Sequence, residues 1–194
     1  MYINKSIKTY LDDLAAKKPV PGGGSAAALS AAIGVGLMSM TANYTEGAGA
    51  ITDILAKCEK HRVRLQDLVD EDIKAYEKLS AGMKSRTKDE KKLDNLFKKA
   101  AEAPFEVCKI TLEAMKACEA LAKCGNKNLI TDTAIAAIML EGAFFSAKFN
   151  VYINLKYIKD MDFIGEVHKV LQPLEDQMPK MREDILEICE EVIR

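Results

Sequence analysis

The stretch from Ser25 to about Tyr44 is built largely from alanine, serine and glycine. Ala27, Ala31 and Gly34 recur at helical spacing and give it small faces that let another backbone approach closely. Such a segment predicts a central, buried helix, and the chain around it must supply the helices that cover it. It reads that way almost throughout. No segment shows sustained period-two alternation, and no Asn-Gly or Asp-Gly hairpin signal occurs.

Ile7, Tyr10, Leu11 and Leu14 form the apolar stripe of a first helix, with Asn4 or Ser6 as its cap. Lys17 to Gly24 is a Pro/Gly break. After the weak stretch Glu46 to Ala50, a long helix covers roughly Ile51 to Leu79, and Lys84 to Lys92 reads as a charged, solvated loop. A further helix reaches about Ala103. Pro104 fits the first turn of the next one, which ends near Cys124-Gly125. Thr131 to Lys159 is apolar on most sides and predicts a second core helix. The last segment is interrupted by Pro173 and Pro179 and ends in the amphipathic run Met181 to Ile193. With 194 residues and 48% hydrophobic composition the chain can bury a sizeable core. The expected fold is all-α: one domain, residues 1–194, an up-and-down bundle of long helices.

Lys and Arg number 28 against 29 Asp and Glu, so no bulk field draws the chain to nucleic acid or an anionic membrane. The lysines of Lys84 to Lys99 alternate with acids and lack stacking aromatics, which reads as a solvated face and not as an RNA or DNA surface. The five cysteines are odd in number and form no C-x-x-C pair, which fits a reducing compartment. His61 and His168 are the only histidines, so no metal site is expected. The N-terminus lacks a basic start followed by an apolar run, and Ala26 to Met40 is too short to span a bilayer. A soluble cytoplasmic protein is expected.

Polar residues that break the pattern mark the candidate site. At about 100° per residue, Leu65, Leu68, Val69, Tyr76 and Leu79 fall on one side of the third helix with Asp72 among them, while Asp67, Asp70 and Glu71 point elsewhere. A carboxylate on an apolar seam is costly unless partnered, and its pKa tends upward. Acid–base catalysis is one use of such a group; a buried pairing with a lysine, or capping of a neighbouring helix, is the structural alternative. In Pro19-Val-Pro21-Gly22-Gly23-Gly24-Ser25 two prolines stiffen the entry, three glycines expose backbone N–H groups and Ser25 can cap the helix that follows. A glycine-rich turn at a helix N-terminus suits a carboxylate, phosphate or polar heterocycle edge; a tight interhelical turn would need only one glycine. Asn126 and Asn128 lead into Thr131-Asp132, Asn150 and Asn154 share a helix face, and Asn43 closes the small-residue helix. Their amides need partners, from a bundle interior, a dimer interface or a ligand.

These pieces in this order, PVPGGGSAAALSAA, DIKAY at Asp72 to Tyr76, the Ala101 to Pro104 step, CGNKNLITD and FNVYINLKYIKD, resemble the formiminotetrahydrofolate cyclodeaminase / methenyltetrahydrofolate cyclohydrolase family over nearly the whole chain. The resemblance implies an all-α bundle working as a homodimer on a tetrahydrofolate derivative as substrate, without a metal. It implies Asp72 as the catalytic carboxylate. The Gly22 to Ser25 loop with Pro21, together with Asn43, Tyr76, Asn126, Asn128, Asp132, Asn150 and Asn154, would hold the pterin or the glutamate tail. Two departures stand out: Thr131-Asp132 replaces the family's frequent Ser-Asp, and Thr45 to Ala50 carries none of the basic residues usual after the small-residue helix. A relative that binds folate without turning it over is the competing class.

Overall fold

The small-residue segment forms α2, Gly23–Asn43, and its counterpart forms α5, Ile130–Leu155. The two pack side by side at the centre: a methyl added to Gly34 would meet the Ala136 carbonyl and the Met139 and Leu140 side chains at 3.4 Å. Around them stand α1 (Ile7–Ala15), α3 (Ala50–Lys84), α4 (Glu90–Cys124) and α6 (Met161–Ile193). This computed structural model describes residues 1–47, 49–85 and 89–194.

The starts of α2 and α4 meet the late turns of α3 and α5 around one pocket, whereas the end of α2 is tied to the start of α5 through Asn126. Consecutive long helices therefore alternate in direction, as an up-and-down bundle requires. One buried apolar cluster draws on all six helices.

Three boundaries differ from the sequence reading. The helix placed on either side of Pro104 is one, Glu90–Cys124, with Pro104 buried inside it. Proline removes the bond to the carbonyl four residues back, and that freed Ala100 carbonyl is reached by the Asn154 side-chain amide at 3.5 Å. The last segment is likewise one helix through Pro173 and Pro179. Buried Leu171, Leu174, Met178 and Ile185 hold it down, with Arg182 paired to Glu141 at 3.0 Å and Lys148 to Glu175 at 3.1 Å. The third helix runs on to Lys84 and α4 starts at Glu90 with Asp89 as its cap, so both ends of the loop expected over Lys84 to Lys92 are helical; residues 86–88 of it lie outside the described residues.

The N-terminal stripe behaves differently from its pattern. Ser6 caps α1, accepting from the Thr9 N–H at 3.0 Å, but of the apolar four only Tyr10 is buried, while Ile7 is 80% exposed. What holds this segment down is polar. Asp70, expected to point away from the seam, does so but is 3% exposed. It accepts from the Tyr2 and Ile3 N–H groups at 2.6 and 3.3 Å, tying the N-terminal turn to α3.

By length and composition Gly23–Asn43 and Lys127–Leu155 are each long and apolar enough to cross a membrane. The expectation that the apolar stretch is too short thus fails for α2, because the helix takes in the glycines before Ala26 and Thr41 to Asn43 after Met40. In the bundle these are the two central helices, and 56% and 39% of their apolar stretches are buried inside it.

Candidate active site

Gly22 is the N-cap of α2 and offers no side chain. The first intrahelical bond is made by the Ala26 N–H to the Gly22 carbonyl at 3.0 Å, so the N–H groups of Gly23, Gly24 and Ser25 have no helical partner. Ser25, expected as the cap, lies inside the first turn; it is fully buried and its hydroxyl sits 3.0 Å from the Tyr10 hydroxyl. The uncapped end with its positive dipole is therefore left open to a polar group.

That group is Asp72. A Cβ on Gly24 would overlap its carboxylate, and one on Gly23 would stand 3.1 Å from the Asn150 amide nitrogen. Burial pushes the Asp72 carboxyl up to about 6, and the Ser25 amide facing it pulls the other way. No lysine or arginine is among the influences on it, so the lysine pairing weighed above does not account for its position. The ordinary value is 3.8. The folded state thus holds this proton more tightly than the unfolded chain, so the site's contribution to stability is fully present below about pH 4 and is lost as pH rises through about 6. Replacing Asp72 by Asn should raise stability at pH 7 by about 1–2 kcal/mol, with no gain near pH 4. Thermal unfolding at the two pH values checks this.

The pocket that opens on Asp72 has a volume of about 510 Å³. Along α3, Asp72, Tyr76, Leu79 and Met83 line it, and along α5 and the turn after it, Asn150, Ile153, Asn154 and Tyr157; each set recurs every three or four residues, the signature of one helix face. Phe97 and Tyr157 stack at 4.9 Å with 19° between their planes, giving one wall a flat apolar surface. Asn150 and Asn154 each donate to a helix carbonyl, those of Ser146 at 2.8 Å and Asn150 at 2.7 Å. Each still has its amide oxygen to offer, and Asn150 a second N–H, the second N–H of Asn154 being turned to the Ala100 carbonyl. The arrangement combines a carboxyl that titrates near neutrality, free helix-end amides, two carboxamides and an aromatic wall. It suits proton transfer on a flat, polar-edged molecule.

Of the residues singled out in the sequence, Gly22, Gly23, Gly24, Asp72, Tyr76, Asn150 and Asn154 line this pocket. Ser25 lies directly behind it, and Pro21 is buried and does not line it. Asn43, Asn126, Asn128 and Asp132 are elsewhere, at the far end of α2, about 30 Å away for a helix of its length. There the Asn126 N–H donates to Thr45 Oγ1 at 2.9 Å, its amide to the Tyr44 carbonyl at 2.7 Å, and its Oδ1 accepts from the Asn128 N–H at 3.0 Å. The CGNKNLITD segment thus joins two helices in this chain and does not reach the Asp72 pocket. Met83, Phe97, Ala100, Ile153 and Tyr157 were missed. The spacing of Ile153 and Tyr157 from Asn150 could have found two of them; nothing in the sequence alone marks Phe97. Among the described residues no cluster of three His, Cys, Asp or Glu could hold a metal ion.

An all-α bundle whose interhelical cleft presents one carboxyl of raised pKa offers a site suited to proton transfer. The model of the formiminotransferase-cyclodeaminase family matches residues 6–173, and the chain belongs to that family. It is 33% identical to the methenyltetrahydrofolate cyclohydrolase of Methylorubrum extorquens, with 95% of each chain covered. It is 28% identical to the formimidoyltransferase-cyclodeaminase of Mus musculus over 89% of this chain, which spans only 34% of that longer protein. The crystal structure of formiminotetrahydrofolate cyclodeaminase from Thermotoga maritima superposes with a TM-score of 0.91 at 31% identity, over the full length of both chains.

Proposed function

We propose that this chain is a folate-dependent one-carbon enzyme that converts 5-formiminotetrahydrofolate to 5,10-methenyltetrahydrofolate with release of ammonia, Asp72 carrying the proton. The observation that carries the reading is the Asp72 carboxylate seated on the open end of α2, pushed up to about 6 by burial. N10 attacks the formimino carbon and the N10–C bond forms. Asp72 takes the proton that N10 then sheds and returns it to the nitrogen of the formimino group; the C–N bond to that nitrogen breaks and ammonia leaves. The formimino group enters protonated, as its basic nitrogen is at neutral pH, so the N10 proton is the third that ammonia needs; the positive charge stays on the methenyl cation and Asp72 ends unchanged. A carboxyl ionising near neutrality serves both as base and as acid. The wall formed by Phe97 and Tyr157 supports stacking of a flat ring, and the Gly23 and Gly24 amides with Asn150 and Asn154 support hydrogen bonds to its polar edge.

The likeness to a methenyltetrahydrofolate cyclohydrolase over 95% of both chains favours a second reading. In it Asp72 takes a proton from water as the water adds to the methenyl carbon and passes it to N5; the C–N5 bond breaks and the adduct hydroxyl loses its proton to solvent, leaving 10-formyltetrahydrofolate. Ammonia release from 5-formiminotetrahydrofolate and decay of 5,10-methenyltetrahydrofolate, each against a no-enzyme control, separate the two. Accelerated ammonia release supports the first reading, accelerated decay alone supports the second, and neither overturns both.

The folate enzyme is proposed to act as a homodimer in the cytoplasm. Ile33 and Met40 on α2 and Ile135, Ile138, Phe149 and Ile153 on α5 are exposed, and stripes of this kind on adjacent helices support a covered interface. Five free cysteines support a reducing compartment. Phe149→Glu, at a side chain 68% exposed, should convert the dimer to monomer by light scattering; a wild type already monomeric at micromolar concentration would contradict the proposal.

A further inference from the structure

Tyr10 is the one buried residue of α1, and it does not line the Asp72 pocket. It touches the Ser25 hydroxyl at 3.0 Å, at the point where the Ser25 amide faces Asp72. The ring of Tyr2 meets that of Tyr10 edge-on at 5.9 Å. The Tyr2 hydroxyl donates to Asp13 at 2.8 Å, and Asp13 also pairs with Lys18. The Tyr2 and Ile3 amides are fixed on Asp70, two residues before Asp72 in α3. The N-terminal segment is therefore braced on α3 through Asp70 and on α2 through Ser25, with the Asp72 carboxylate between the two braces. Ile7, Leu11 and Leu14 of α1 face outward, so this helix contributes little apolar burial beyond Tyr10 itself.

We propose that Tyr10 is a positioning residue for Asp72: its phenol holds Ser25, and with it the first turn of α2, so that the Ser25 N–H stays aimed at the carboxylate. The chemical meaning of this rests on the acid–base reading of Asp72; the structural coupling does not. The other polar side chains that line the pocket with the carboxylate are Tyr76 of α3, the Asn150 and Asn154 carboxamides of α5, and Tyr157 in the turn after it.

Tyr10→Phe removes the hydroxyl and keeps the ring. Two readouts test it. Carbon-13 NMR titration of the Asp72 carboxyl, assigned by its loss in Asp72→Asn, needs no substrate. With the Ser25 amide loosened, the carboxylate loses a donor, and the midpoint should rise by about half a pH unit, roughly threefold in ionisation constant. In turnover, kcat should fall about three- to tenfold with KM nearly unchanged. Ser25→Ala should move the midpoint the same way, and adding Tyr10→Phe to it should do little more, because the two hydroxyls act as one unit. Tyr2→Phe cuts the Asp13 contact on the same segment without touching Ser25 and should leave the midpoint in place. A Tyr10→Phe protein that melts lower but keeps the wild-type midpoint and kcat overturns the proposal. A raised midpoint with unchanged kcat upholds the coupling and contradicts the catalytic role of Asp72, so the two failures are told apart.

Discussion

Asp72→Asn should lower turnover by about 10²- to 10⁴-fold, the range lost when a positioned acid–base group is removed, while folate binding changes little. The two effects separate because Asn keeps the size and polarity of the side chain and loses only the capacity to take and return a proton. Among the described residues Asp72 is the sole carboxyl lining the pocket, the other polar side chains there being Tyr76, Asn150, Asn154 and Tyr157. None of those is a carboxyl or an imidazole, so the pocket offers no like group in its place. The variant should also fold at least as well as the wild type, since burial disfavours the charge it removes. Lost turnover with kept binding and kept folding, measured by steady-state kinetics, calorimetric titration with a stable folate and thermal unfolding, is a combination that a merely structural carboxylate would not give.

A single methyl should do almost as much harm. Gly24→Ala places a Cβ on the Asp72 carboxylate, so either the side chain swings away from the Ser25 amide or the first turn of α2 retreats. Both misplace the proton carrier, and displacement of this order costs about 10²-fold or more in rate. Stability should suffer far less, because alanine is favoured over glycine within a helix by about 1 kcal/mol, which offsets part of the strain. Gly22→Ala provides the comparison: its Cβ would meet nothing within 4 Å, and its φ of −135° is open to any residue. The loss there should be smaller by about tenfold or more. The three consecutive glycines thus have different reasons to be glycine. Gly24 makes room for Asp72 and Gly23 for Asn150, whereas Gly22 makes room for nothing the chain itself supplies and borders the pocket.

The fold was legible where periodicity was strong. The small faces of α2 and the apolar sides of α5 identified the central pair, and angular placement set Asp72 apart from Asp70 and Glu71 on α3. Prolines misled at Pro104, Pro173 and Pro179 because their local cost is met by tertiary contacts that no window of sequence contains: the Ala100 carbonyl freed by Pro104 is approached from α5 by Asn154. The stripe on α1 misled in the opposite sense. Ile7, Leu11 and Leu14 repeat at helical spacing yet remain exposed, since a nine-residue helix anchored by Tyr10 and polar clamps has no neighbour along that side.

The pocket was legible in part for the same reason. Asp72 and Tyr76, and Asn150 and Asn154, stand one turn apart on their helices and so could be grouped by spacing. Which groups meet is a matter of topology: an up-and-down order brings the start of α2 to the ends of α3 and α5, and sends Asn43, Asn126, Asn128 and Asp132 to the other end. Motif order alone placed the two glycine- and asparagine-rich loops in one site, whereas the length of α2 keeps them apart. Tyr10 escaped notice because it read as one more apolar residue, and its hydroxyl matters only through Ser25, fifteen positions on.

The most direct test of Asp72 as the proton carrier is the initial rate at which the near-UV band of the methenyl product grows from 5-formiminotetrahydrofolate at limiting concentration, wild type beside Asp72→Asn, from pH 5 to pH 8 with the no-enzyme rate subtracted. The account predicts that the wild-type rate rises with pH and levels off above about 6, where Asp72 is ionised, and that the variant is slower by about 10²-fold or more with that rise gone. A variant with the wild-type rate, or one that keeps the same rise near pH 6, would contradict it.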